Sequence, residues 1–186
     1  MWLAYCLFHS FLANTRVKTF VYRQLKLSAS TYRILYNILA IGLLLGVWFI
    51  HAGVKSPRIF KTNLISGILS YLFIAVGAII MILCIIKYFK QLSGIFKESK
   101  TGKLQTNGMH QWMRHPLYTG TFLFLLGLIL FWPSYKNGLA VAIIIIYTVA
   151  GAWLEEKKLV IQFGKAYLDY QTKVPMIIPR FKFMGI

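Results

Sequence analysis

Residues 64–86 read Leu-Ile-Ser-Gly-Ile-Leu-Ser-Tyr-Leu-Phe-Ile-Ala-Val-Gly-Ala-Ile-Ile-Met-Ile-Leu-Cys-Ile-Ile, without a single charged side chain. An apolar run of this length is long enough to cross the roughly 30 Å hydrocarbon core of a bilayer as a helix, because about 20 residues at 1.5 Å each suffice. Working outward, four more apolar stretches flank it, at 1–13, 34–50, 117–133 and 138–154. The later three lie near the lower length limit for a span. The first is too short unless it continues to about Arg16 or lies tilted. The expected fold is all-α: a polytopic transmembrane helical bundle of about five spans, forming a single membrane domain over 1–186.

Composition agrees. The chain is 58% hydrophobic and only 13% charged, with 21 Lys+Arg against 4 Asp+Glu. A soluble domain carries about twice that share of charge, so lipid has to cover the apolar excess. The net charge of +17 does not indicate a nucleic-acid partner, because the basic residues sit between apolar runs instead of forming a stripe on a soluble face. They alternate by loop. Seventeen fall in 14–33, 87–116 and the tail from 155, and four fall in 51–63 and 134–137. The positive-inside rule places the first group at an anionic cytoplasmic leaflet, among membrane lipids, with the N-terminus outside and the C-terminus inside. That alternation requires an odd number of spans, which agrees with five. The N-terminus has neither the basic region nor the small-residue cleavage pattern of a signal peptide, and reads as a retained helix. Cys6 and Cys84 lie inside apolar runs with no metal-ligand spacing, so no metal is expected.

Trp132-Pro133-Ser134-Tyr135-Lys136-Asn137-Gly138 carries turn chemistry, making the last two apolar segments an antiparallel hairpin. From Glu155 to about Thr172, Leu159, Phe163 and Tyr167 recur every four residues, as expected of an amphipathic C-terminal helix on the membrane or the bundle. Val174-Pro175 and Ile178-Pro179 end it.

Three features carry candidate chemistry. The first is Arg114-His115-Pro116-Leu117-Tyr118-Thr119-Gly120. Pro116 suits the first turn of a helix, whose free N–H groups and positive dipole end can hold a carboxylate. Tyr118, one turn in, offers a ring face to a cation, and Gly120 permits close approach of a ligand or a helix. An interfacial arginine with a helix-starting proline is the plain structural alternative. The second is Glu155-Glu156, at the inner end of the last apolar run. Adjacent helical residues point about 100° apart, so both cannot face one ligand; an ion pair with Lys157, Lys158 or Arg114 is the structural alternative. The third is the polar loop Gly102-Lys103-Leu104-Gln105-Thr106-Asn107-Gly108-Met109-His110, which leads into the arginine motif.

Leu104 through Gly120, with its Arg-His-Pro-x-Tyr-x-Gly core, resembles the isoprenylcysteine carboxyl methyltransferase family and its phospholipid methyltransferase relatives. Glu155-Glu156, Phe163-Gly164, Tyr167, Tyr170, Val174-Pro175 and Pro179 are similar to that family's C-terminal signature in order and spacing. The resemblance covers about 100–182. It implies N-terminal helices over 1–100 and a cofactor-binding catalytic region over 101–182, in a cytoplasmic membrane of bacterial or archaeal type. It further implies S-adenosylmethionine held by Gly102, Lys103, Leu104, Gln105, His110, His115, Pro116, Leu117, Tyr118 and Glu155. Arg114 and Glu155 are the catalytic candidates, with Arg114 orienting an anionic acceptor. The expected reaction is direct methyl transfer to a small thiol, carboxylate or lipidic acceptor.

Two positions depart from the pattern. His110 stands where the family usually has tyrosine, and Gly151 stands where prenylcysteine enzymes carry a substrate arginine, so the acceptor is not expected to be restricted to prenylcysteine. In the N-terminal half, His9-Ser10, Arg16, Lys18, Tyr32-Arg33 and Tyr36-Asn37 resemble, more loosely, membrane proteins that include NnrU and methanethiol methyltransferases. The competing readings are a non-enzymatic NnrU-like membrane protein and a nicotinamide-dependent membrane reductase. The charge alternation gives a first test. A cysteine introduced at Lys103 is expected to react with an impermeant maleimide only after cells are opened, and labelling from outside intact cells contradicts the orientation.

Overall fold

The computed structural model describes residues 1–93 and 103–180, with only the helical backbone given for 88–93. Gly102, Lys97, Lys100, Lys182 and the expected boundary near 100 lie outside the described residues. Among the described residues seven α-helices follow in order: α1 Trp2–Ala13, α2 Thr15–Leu25, α3 Ala29–Gly53, α4 Leu64–Ser93, α5 Pro116–Phe131, α6 Tyr135–Phe163 and α7 Lys165–Lys173. No strand occurs among the described residues, only an isolated bridge between Arg58 and Ser134. The chain is an integral membrane helical bundle. Three helices, over Ala29–Gly53, Leu64–Lys87 and Tyr135–Phe163, have the length and hydropathy to cross a membrane. Two further apolar helices, Trp2–Ala13 and Pro116–Phe131, are shorter, about 18 and 24 Å at 1.5 Å per residue.

Local chemistry explains these boundaries. The first helix does not continue to Arg16. Asn14 is extended at φ −65°, ψ 135°, and its side chain accepts a hydrogen bond from the Arg16 N–H, which caps α2 instead. Ser28 caps α3 in the same way through the Thr31 N–H. The tail, expected as one amphipathic helix from Glu155, is two helices. The span α6 runs on through Phe163, and Gly164, at φ 56°, ψ −132°, turns the chain into α7. A glycine takes that backbone shape without the penalty a Cβ brings. The turn places Tyr167, Tyr170 and Val174 against Leu104, Leu159, Val160 and Phe163, so the four-residue apolar repeat packs on the bundle.

At the opposite end of the bundle, the α5–α6 hairpin is tied to the α3–α4 loop. Ile59 N–H donates to the Pro133 carbonyl at 2.7 Å, and Tyr135 N–H to the Pro57 carbonyl at 3.3 Å. Lys136 Nζ reaches the terminal carbonyls of α3 at His51, Ala52 and Val54, at 2.9, 3.3 and 2.6 Å. A cation suits the negative end of a helix. Trp132 and Tyr135 are exposed there, as residues of a lipid–water boundary are.

The tightest packing joins α4 to α5, and glycines permit it. A Cβ on Gly77 would lie 2.5 Å from the Phe124 backbone nitrogen and 2.6 Å from the Gly120 carbonyl oxygen. Without a hydrophobic drive between helices in lipid, such close backbone contact is what joins them. Gly120 therefore serves helix approach. In contrast, a Cβ on Gly46 would meet nothing within 4 Å. Gly77→Ala is expected to lose about 1–3 kcal/mol and Gly46→Ala less than about 0.5 kcal/mol, read as thermal unfolding in detergent. Equal stability of the two variants contradicts this packing.

Candidate active site

Pro116 opens α5, and His115 before it stands outside helical geometry at φ −122°, ψ 68°, as a residue preceding proline should. The C-terminal segment straps this helix start. Arg114 and His115 N–H groups donate to the carbonyls of Pro175 and Met176 at 2.9 and 3.0 Å. Thr119 Oγ1 donates to the Ile177 carbonyl at 2.6 Å.

The two glutamates of α6 diverge as their 100° separation requires. Glu156 turns into the protein and is 7% exposed. Its Oε1 lies 2.6 Å from Arg114 Nε and its Oε2 lies 3.2 Å from Nη2, a two-point ion pair. Gln171 Nε2 donates to Oε2 at 2.9 Å, and His115 Nε2 lies 3.1 Å from Oε1. Arg114 Nη1 donates to the carbonyls of Gln171 and Val174, both at 3.0 Å. Four of the five guanidinium hydrogens are thereby directed at protein acceptors. Arg114 fastens α6, α7 and the C-terminal strap to the start of α5.

Glu155 turns the other way, with its side chain 50% exposed. Tyr118 donates its hydroxyl to Oε2 at 3.2 Å, and His115 Nδ1 lies 3.9 Å from the same oxygen. The rings of His115 and Tyr118 stack with centroids 5.3 Å apart and planes 12° from parallel. These groups edge a cavity of about 420 Å³, within the range of about 300–1,000 Å³ usual for small-molecule sites. Lys103, Leu104, Gln105, His110, Arg114, His115, Pro116, Leu117, Tyr118 and Glu155 all line it, so the sequence-expected residues that are described converge on one space. Gly102 lies outside the described residues.

The cavity wall also includes residues that the motifs did not single out as ligands. Leu159 and Phe163 of α6, Cys84 of α4 and Tyr167 of α7 belong to it. The apolar repeat of the tail was the available signal for Leu159, Phe163 and Tyr167; nothing in the sequence pointed to Cys84. Tyr167 is 1% exposed, yet its hydroxyl has no hydrogen-bond partner among the described residues. Burial, and then the charge of Glu156, pushes its ionisation above the ordinary range. It is therefore a neutral hydroxyl at the cavity, and a buried polar group of this kind calls for a partner. His110 is pushed below the ordinary histidine range by burial, then by Lys87 and His115, so it is a neutral imidazole at neutral pH. Among the described residues no cluster of His, Cys, Asp or Glu is arranged to hold a metal.

Residues 62–166 match the family profile described as phospholipid methyltransferase. A methanethiol S-methyltransferase of Crocosphaera subtropica is 30% identical over 190 residues, covering 94% of this chain and 71% of that protein. One from Pseudomonas deceptionensis is 32% identical over 131 residues, covering 64% of this chain and 48% of that one. The mouse protein-S-isoprenylcysteine O-methyltransferase is 32% identical over 87 residues, 46% of this chain and 31% of that protein. No solved structure matches. An apolar helical bundle with a cavity between the start of α5 and the inner part of α6 is thus a membrane methyltransferase in class. The chain belongs to the phospholipid methyltransferase family, with relatives among the methanethiol and isoprenylcysteine methyltransferases.

The divergence of the glutamates yields a stability test. Removing one partner of a buried ion pair strands the other charge. Glu156→Gln is expected to lose about 3–5 kcal/mol, and Glu155→Gln less than about 1 kcal/mol, by thermal unfolding in detergent. The reverse order contradicts the assignment of the two side chains.

Proposed function

We propose that the protein transfers a methyl group from S-adenosylmethionine to a small thiol. The observation that carries this reading is the donor set of the cavity. The N–H groups of Leu117 and Tyr118 lie in the first turn of α5 behind Pro116, where no intrahelical acceptor exists; they suit the cofactor's carboxylate. The Glu155 carboxylate suits its ammonium or ribose hydroxyl groups. Tyr118, stacked on His115, offers a ring to the sulfonium. Leu104, Leu159 and Phe163 form an apolar wall fit for adenine, and the buried Tyr167 hydroxyl, beside the Glu156 carboxylate, borders the same space.

When bound, the cofactor supplies an electrophilic methyl group on a positively charged sulfur. The chain's own part is to orient and desolvate. Lys103 to Gln105 and His110 close the side of the cavity toward the polar loop. Arg114 acts by position: through Glu156 and the carbonyls of Gln171 and Val174 it holds α5, α6 and α7 in the arrangement that aims Glu155 into the cavity.

Two features favour a small thiol as acceptor. Similarity to the Crocosphaera methanethiol enzyme runs through 94% of the chain, whereas similarity to the isoprenylcysteine enzymes covers about half. A Cβ on Gly151 of α6 would meet nothing within 4 Å, so the helix presents open space there and no arginine for a carboxylate.

Titration calorimetry and a methyl-transfer screen test the reading. Wild-type protein is expected to bind S-adenosylmethionine and methylate methanethiol, and Glu155→Gln to bind the cofactor about ten- to a hundredfold more weakly. Cofactor binding that Glu155→Gln leaves unchanged removes Glu155 from the site. Turnover with a prenylcysteine or a phospholipid and none with methanethiol overturns the thiol assignment.

A further inference from the structure

A second polar cluster lies within the apolar part of the bundle. His9 and Ser10 of α1, Tyr36 of α3 and Tyr147 of α6 meet there. The Tyr36 hydroxyl is 2.8 Å from His9 Nε2 and 3.0 Å from Nδ1. Ser10 Oγ and the Tyr147 hydroxyl are 2.9 Å apart. The His9 ring centroid lies 5.2 Å from that of Tyr36, 5.8 Å from Tyr5 and 6.4 Å from Tyr147, so aromatic rings wall it. A single hydroxyl engages one ring nitrogen at a time. Among the described residues no other side chain hydrogen-bonds to His9, which leaves one nitrogen for a ligand. An ionisable side chain inside a membrane bundle is costly to place and marks function by default.

The cluster lies on the face of α6 that leads to the cavity. Tyr147, Gly151 and Glu155 follow at four-residue spacing on α6 and therefore share one face, with Tyr147 about 12 Å along the axis from Glu155. Between them Gly151 leaves the face open. The Tyr32 hydroxyl donates to the Leu12 carbonyl at 2.8 Å, joining the end of α1 to the start of α3. His9, four residues before the end of α1, and Tyr36, seven residues into α3, thus lie in the half of the bundle toward the cavity.

We infer that His9, held by Tyr36, accepts the proton of a small thiol seated beside Tyr147 and Gly151, in front of the cofactor cavity. This rests on the reading of that cavity as the methyl-donor site. A simple thiol is mostly protonated at neutral pH, with cysteine near about 8.5, and apolar surroundings raise the value further. It needs a base before it can attack. The titratable neighbours of His9 are Tyr5 and Cys6 on its own helix, Tyr36 on α3 and Tyr147 on α6, all neutral at neutral pH. Helix α2, which also touches α1, carries Arg16, Lys18 and Arg23 beyond the break at Asn14. In the step, the S–H proton passes to the His9 nitrogen that Tyr36 leaves open. The sulfur's electron pair forms a carbon–sulfur bond to the donor methyl, and the methyl–sulfonium bond breaks with its pair remaining on the donor sulfur. The products are a methyl thioether and a neutral S-adenosylhomocysteine, and the proton leaves His9 to water.

The test uses full-length protein in nanodiscs, with methanethiol as acceptor. His9→Gln is expected to bind S-adenosylmethionine as wild type does by calorimetry, while turnover at neutral pH falls about a hundredfold. The deficit should shrink as pH rises toward the thiol's own ionisation. In ¹⁵N-histidine spectra of wild type loaded with S-adenosylhomocysteine, the signal missing from His9→Gln is expected to move when methanethiol is added. If loss of cofactor binding shows that His9→Gln is misfolded, Tyr36→Phe takes its place, with about a tenfold deficit and the same pH dependence. Wild-type turnover and pH profile in a variant that binds cofactor, or a His9 signal unmoved by the thiol, overturns the inference. If wild type binds no cofactor, the reading of the cavity fails and the inference falls with it. If wild type binds cofactor and does not methylate thiols, the acceptor assignment fails and the inference falls while the cofactor site stands.

Discussion

Two neighbouring carboxylates about two turns before the end of α6 point apart, and the rest of the site depends on that divergence. Glu156 goes inward to Arg114, and through Arg114 to the carbonyls of α7 and the C-terminal strap. Glu155 is left facing the cavity, and among the described residues Tyr118 alone hydrogen-bonds to it. One buried ion pair thus positions three helices and leaves a second acid at the cavity. Placing a carboxylate in a low-dielectric setting is expensive unless it is paired and hydrogen-bonded. Glu156 meets that condition with contacts from Arg114, His115 and Gln171.

The sequence made the architecture legible because lipid simplifies the problem. Residues 64–86 cannot be solvated by water, so α4 follows from length and hydropathy alone, and Pro116 and Pro133-Ser134 mark the ends of the hairpin. Helix ends were less legible. Asn14 stops α1 by using its side chain to cap α2, a choice that hydropathy does not encode. Gly164 splits the tail because its positive φ ends α6, while the apolar repeat of Leu159, Phe163 and Tyr167 continues across the break and looks like one helix. The repeat reports a shared packing surface, not a shared helix axis.

At the site, Lys103 to Gln105, His110, Arg114 to Tyr118 and Glu155 converge on one cavity because proline fixes where α5 begins and the short turn fixes where α6 returns. The family resemblance put the ligand on Glu155; residue chemistry alone left open which cation pairs with Glu156. The 100° separation of the two acids showed that only one could face a ligand, but Lys157, Lys158 and Arg114 were equally good partners on charge alone. The structure decides through the acceptors around Arg114. Lys157 instead lies 3.4 Å over the Trp153 ring centroid. Arg114, expected to orient an acceptor, has nearly all its donors committed to the protein, a saturation that depends on backbone carbonyls of the tail and so has no signature in residue types.

Burial carries a different meaning in this chain than in a soluble protein. Leu, Ile and Phe residues along α3 and α4 are widely exposed, because lipid solvates them as well as another side chain does. Among the described residues the protein itself encloses few side chains, and four of them, Cys84, His115, Tyr167 and Tyr170, line the cavity. A bilayer protein gains little from hiding apolar groups from lipid, so what it does enclose is what requires a fixed position or a dry setting. The same logic applies to His9, Tyr36 and Tyr147. Polar groups that lipid cannot satisfy are drawn together across three helices, and their hydrogen bonds hold the N-terminal half against the face of α6 that leads to Glu155. The N-terminal helices therefore do more than anchor the chain. Their side chains fasten to α6 within the bundle, through Ser10 and Tyr147.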